Sequence, residues 1–175
     1  MKRLTLPLLM VVTASLVGTA AQAATTGSLR FAGQVNAGTC NLAAGDENRL
    51  ITLPEVKISD FDSVVYTGEL DFEIAADCES DVRNVSFLFT GTSSVGHAGL
   101  FANTGSSGGT ALWLASRLPS AATIPANGTP AQRTRTVATS SSKAVLPLKA
   151  AYHKTGQAIT QGTLASAVTV SITYN

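Results

Sequence analysis

From Glu69 to Cys78 the sequence alternates without a break. Leu70, Phe72, Ile74, Ala76 and Cys78 fall on one side of an extended chain, and Glu69, Asp71, Glu73 and Asp77 on the other. A period of two fits a strand with one face in a core and one in water. Related patterns recur. Val85, Phe87 and Phe89 share a face within Val82–Thr90, and Ala111–Ala115 and Val145–Tyr152 are further strand candidates. Leu50–Leu53, stopped by Pro54, and Val56–Ile58 are shorter ones. A final run places Leu164, Ser166, Val168, Val170, Ile172 and Tyr174 together. Clusters of Gly, Pro, Asn and Ser separate these runs, and no long amphipathic helix pattern appears. The chain of 175 residues therefore reads as one all-β sandwich domain.

Residues 1–23 carry the marks of a secretory signal. Lys2 and Arg3 precede a mostly apolar stretch from Leu4 to Val17, and Ala21-Gln22-Ala23 is a small-x-small cleavage site. A membrane anchor would need about 20 unbroken apolar residues. Export gives the two cysteines a meaning: in an oxidising compartment Cys40 and Cys78 form one disulfide by default. Closing a loop of about 38 residues contributes on the order of 3–4 kcal/mol in the chain-entropy account. Two distant cysteines and two separate histidines do not make a zinc spacing, so neither metal nor cofactor is expected.

Charge is nearly balanced but unevenly placed. Every Asp and Glu lies between Asp46 and Asp81, and after Asp81 only bases follow, from Arg83 to Lys154. These bases are too scattered for a nucleic-acid surface. One expectation is that acidic and basic ends meet when subunits stack. No chemistry-bearing constellation stands out. His97 and His153 read as surface residues without a nucleophile motif. The carboxylates of Glu69–Asp77 diverge along a strand instead of converging on an ion. The glycine- and serine-rich stretches Gly91–Gly99 and Asn103–Gly109 lack the P-loop pattern. Trp113, between leucines, reads as a core residue. The chain is not read as an enzyme.

The two ends carry the remaining signal. In Leu29–Val35, Leu29, Phe31, Gly33 and Val35 share one face, an apolar edge with a glycine notch. At the other end, Val168–Tyr174 contains no proline and no charge. Such an edge must be paired, covered or blunted. Either the opening strand folds back onto it, or another protein supplies a strand.

Taken in order, these features resemble the pilin subunits of the chaperone–usher pathway, of the type 1 fimbrial kind. They are the signal, Leu29-x-Phe31-x-Gly33-x-Val35 ahead of Cys40, Cys78 after an alternating strand, Leu146-Pro147-Leu148-Lys149-Ala150-Ala151-Tyr152, a glycine turn, and the Ala165–Asn175 run with Tyr174 penultimate. Ala111-Leu112-Trp113-Leu114 departs from the family, where a Gly-Val-containing strand is common. The resemblance implies an incomplete immunoglobulin-like sandwich lacking its last strand. An N-terminal donor-strand extension (24–35) would precede a pilin domain (36–175). Thr25, Gly27, Leu29, Phe31, Gly33 and Val35 would be donor residues for a neighbour's groove. Val168, Val170, Ile172 and Tyr174 would form the acceptor strand, and the Asn175 carboxylate would anchor a chaperone. A periplasmic chaperone would lend a strand, and at the outer-membrane usher the next subunit's extension would replace it, a known instance of strand addition. Partners would then be other fimbrial subunits, like or unlike, with no nucleic acid, and the product a surface fimbria. Two alternatives stay open: a minor adaptor or tip subunit, and a secreted, self-contained carbohydrate-binding sandwich.

Overall fold

A computed structural model describes residues 28–117 and 121–175; the signal, Thr25 and Gly27 lie outside them. The chain divides into two units between Val35 and Asn36. In the first, residues 28–35 carry no assigned strand, and Leu29, Phe31 and Val35 are 85%, 91% and 99% exposed.

The described residues of the second unit form eight strands in two antiparallel sheets. In chain order they are β1 (Cys40–Leu42), β2 (Tyr66–Cys78), β3 (Asn84–Gly91), β4 (Thr110–Ser116), β5 (Ala122–Thr123), β6 (Thr134–Ala138), β7 (Lys143–Lys154) and β8 (Val168–Tyr174). One sheet has the order β1-β2-β7-β4-β5, the other β6-β3-β8. Among the described residues helix is confined to a 3-10 turn at Ile58–Phe61 and the four-residue α1 (Pro130–Arg133). Thr129 and Gln132 cap α1 reciprocally. Among the described residues no helix is long and apolar enough to cross a membrane.

The alternation predicted for β2 and β3 builds the core. Ile74 and Ala76 from β2, Val85, Phe87 and Phe89 from β3, and Leu146 and Leu148 from β7 are buried together with Phe101 and Ile124. Cys40 and Cys78 sit opposite each other in the β1–β2 register and form the disulfide. Leu50–Leu53 has the predicted side-chain alternation, with Ile51 and Leu53 half-buried, but it is not a strand. No other described backbone pairs with residues 50–56, and a strand is defined by its ladder. Val56–Ile58 likewise leads into the 3-10 turn and not into a strand.

Two expectations change. Trp113 is half-buried and outside the core cluster, because Leu112 and Leu114 take the inward positions of β4. The acidic face of β2 meets bases of its own chain. Lys149 Nζ lies 2.9 Å from Glu69, Arg117 3.4 Å from Asp71, and Lys143 2.7 Å from Asp77. Antiparallel pairing of β2 with β7 sets Glu69 and Asp77 beside Lys149 and Lys143, so part of the charge separated in sequence is paired within the chain. The ordinary worth of such exposed pairs is small, about 0–1 kcal/mol each.

Candidate functional site: an unpaired sheet edge

β8 pairs with β3 in a continuous register, Val85 opposite Tyr174, Phe87 opposite Ile172, Phe89 opposite Val170 and Gly91 opposite Val168. Directly opposed residues share a face, and Val85, Phe87 and Phe89 are at most 1% exposed in the core. Val168, Val170, Ile172 and Tyr174 therefore point inward too. Yet the first three are only half-buried, and Tyr174 is 42% exposed. The cause is topological: β8 ends the three-stranded sheet, and no described strand pairs with its other edge. Inward-facing side chains on an outermost strand are covered from one flank only.

Across the sandwich the five-stranded sheet ends in β1, whose Cα atoms come within 8 Å of those of β8. Leu42, Leu53 and Phe72 are partly buried against the same core as Val168, Val170 and Ile172. The outer edge of β8 and residues 50–56 both leave backbone groups without a described backbone partner. Ser166, just before β8, has its hydroxyl buried without a hydrogen-bond partner.

The two ends of β8 are fixed. At its far end the Asn175 backbone oxygen accepts the Arg83 and Asn84 amides at 2.7 and 3.3 Å. Before its start, the Asn103 side chain is a hub. Its amide donates to the Ser107 carbonyl at 2.8 Å, and its oxygen accepts the Gly105 and Ala165 amides at 2.7 and 2.9 Å. The glycine- and serine-rich loop is thus clasped to the chain that enters β8.

The opposite flank of the sandwich is closed. Arg135 of β6 donates from Nε to Ser116 Oγ of β4 at 2.8 Å, and from its terminal nitrogens to the carbonyls of Thr123 at 2.9 Å and Gln132 at 2.9 Å. One guanidinium ties the two sheets together. Burial lowers its pKa from the ordinary value, and its partners are neutral oxygens.

The edge of β2 is also covered, by side chains in place of a strand. After the three residues of β1, the Asp46 carboxylate accepts the Ala75 amide at 2.8 Å and Arg49 donates to the Glu73 carbonyl at 2.7 Å. Asp46 and Arg49 are joined at 3.1 Å. Neither Arg135 nor this pair was identifiable as structural in the sequence, because their partners come from distant segments. Asp46 does sit beside the recognisable Gly45 turn.

The family model for fimbrial protein matches residues 29–175. The chain belongs to the fimbrial protein family. Fimbrial subunit ElfA of Escherichia coli (strain K12) is 30% identical over 99 residues, covering 54% of this chain and 55% of that protein. This fimbrial chain therefore spans about half the length of that relative in the match. Its fold is that of pilus subunits. The P pilus rod subunit PapA superposes with a TM-score of 0.62 at 18% identity, over 78% of this chain and 99% of that one. A subunit of a chaperone–usher pilus, from a study of rod uncoiling, gives 0.59 at 17% identity, over 90% and 100%. The family is one of structural subunits.

Proposed function

We propose that this chain is a fimbrial subunit that polymerises by strand exchange. The edge of β8 is the acceptor, and the Leu29–Val35 segment of another subunit is the donor. The single observation that carries the reading is the incomplete burial of Val168, Val170 and Ile172, which face the core and lie on a strand with no second neighbour among the described residues. A donor at this edge would pair with β8 on one side and with the 50–56 segment on the other, and its apolar face would cover those side chains. Burying the donor's three large apolar side chains is worth roughly 5–9 kcal/mol before ordering costs. The donor segment supports this. Leu29, Phe31 and Val35 are exposed in their own chain, and a Cβ added at Gly33 would meet nothing within 4 Å there. The chain's own fold gives no reason for a glycine at 33, whereas close backbone approach to a partner does.

The finer steps follow from the resemblance. Residues 1–23 direct export, 24–35 form the donor extension with Thr25 and Gly27 continuing its face, and 36–175 form the receiving domain. A periplasmic chaperone holds the β8 edge and the Asn175 end until the outer-membrane usher exchanges it for the next subunit. Whether the chain is a rod, adaptor or tip subunit is a separate matter, decided by which unlike subunits copurify with it.

The test is substitution in the donor. Phe31→Asp and Gly33→Trp should each abolish or strongly reduce fibres while leaving the disulfide-bonded domain exported. Normal fibre length and yield in both variants, seen by electron microscopy, would sink the reading.

A further inference from the structure

We propose that His97 and His153 form a surface site for a divalent transition-metal cation, Cu2+ foremost. The site lies at the end of the five-stranded sheet, in the loop before β4 and near the end of β7. Its origin is a break in the β2 alternation. Gly68 has φ +66 and the β2–β7 register shifts between Thr67 and Leu70, a bulge. Beyond it, Tyr66 pairs with His153. His153 is on the outward face of β7, since Leu146, Leu148 and Ala150 point inward. The bulge thus turns Tyr66 out of the core. There its ring stacks on Trp113 at 5.1 Å, with planes 18° apart, and on His153 at 6.2 Å and 21°.

These contacts fix the His153 ring. Its Nδ1 lies 2.7 Å from the Lys154 carbonyl, so Nδ1–H donates and Nε2 keeps a free lone pair. A ligating histidine is typically held this way by a carbonyl on its other nitrogen. The His97 ring stands 5.5 Å away, tilted by 57°. Two imidazoles bound to one ion at about 2.0–2.1 Å have ring centres roughly 5 Å apart, so a small side-chain adjustment closes the pair. The His97 backbone is also fixed. Its carbonyl accepts the Leu100 amide at 2.9 Å, and a Cβ at neighbouring Gly96 would lie 2.8 Å from Thr155. Among the described residues no group of three or more His, Cys, Asp or Glu converges. The site is therefore a two-imidazole clasp whose other positions are taken by water, and nitrogen-only protein ligation favours Cu2+ over Ni2+ and Zn2+.

The test uses untagged protein purified from the cells that make it, titrated with Cu2+ by calorimetry and observed by NMR. One Cu2+ should bind per chain, and substoichiometric Cu2+ should broaden the ring signals of both histidines together. His97→Ala should weaken binding by roughly tenfold or more, the scale of losing a metal-site contact. His153→Phe keeps a ring to stack on Tyr66 while removing the nitrogens, and should do the same with thermal stability retained. Binding that survives either substitution, or broadening of one histidine alone, overturns the proposal, as does the absence of binding.

Discussion

Arg135 is the side chain on which the closed flank of the sandwich depends. Its bonds run from β6 to β4 and β5, and Ser116, one acceptor, is fully buried. Removing the guanidinium would take its donor from the buried Ser116 hydroxyl, at about 1–3 kcal/mol. Arg135→Ala should therefore lower unfolding stability by about that amount. Arg135→Lys should recover only part of it, because an ammonium cannot span the same fork of acceptors; urea unfolding of both variants checks the order. Tyr152 supplies a pH dependence. Burial, and secondarily the charge of Glu55, raise its pKa above the ordinary 10.0. A group with a raised folded pKa stabilises fully below its unfolded value and loses that contribution as pH climbs through the folded one. Lys149, raised chiefly by its hydrogen bond to Glu69, acts in the same direction. Stability should thus fall as pH rises above about 10, and the fall should be shallower in Tyr152→Phe, measured by thermal unfolding across alkaline buffers.

The strands that carry the core were legible in the sequence because each buries one face, and burial leaves a period of two that any window shows. β2, β3 and β7 are of this kind, and β8 shows the same period with its inward face only half-buried. What the sequence did not reveal are contacts whose partners come from distant segments. The Leu50–Leu53 run shows why: its alternation was correct, but pairing depends on a neighbour, and no described strand lies beside it. The Gly68 bulge reverses the facing of Tyr66, and alternation counted through Gly68 misses that. The Asp46–Arg49 pair belongs here as well. It occupies the backbone of β2 at Ala75 and Glu73, where β1 has already ended. An edge with such groups left open is a template for pairing with another chain. Asp46→Ala should destabilise the domain by about 1–3 kcal/mol through the orphaned Ala75 amide. It should also raise association that does not depend on Phe31. Asp46→Asn, which keeps an acceptor oxygen, should do less of both. Light scattering in the Phe31→Asp background separates this association from fibre growth.

In the unit from Asn36 to Asn175, the two flanks of the sandwich are treated differently. On one, Arg135 ties β6 to β4 and β5; on the other, the outer edge of β8 has no described strand paired with it. Native sheets pair or blunt their edges, and here β2 is blunted by Asp46 and Arg49 while β8 is not. The selectivity of assembly would then come as much from the edges that are closed as from the one that is open. The asymmetry has a measurable consequence in local stability, since backbone protection follows how deeply an element is cooperatively packed. Without a donor, amides of β8 that point away from β3 should exchange quickly, while those bonded to β3 exchange slowly. A peptide spanning residues 28–35 should slow the outward set and raise the melting temperature, and the same peptide carrying Phe31→Asp should do neither. Uniform protection of both sides of β8 before any peptide is added would mean that the domain completes its own sheet. In that case the half-burial of Val168, Val170 and Ile172 would have to be explained without a partner.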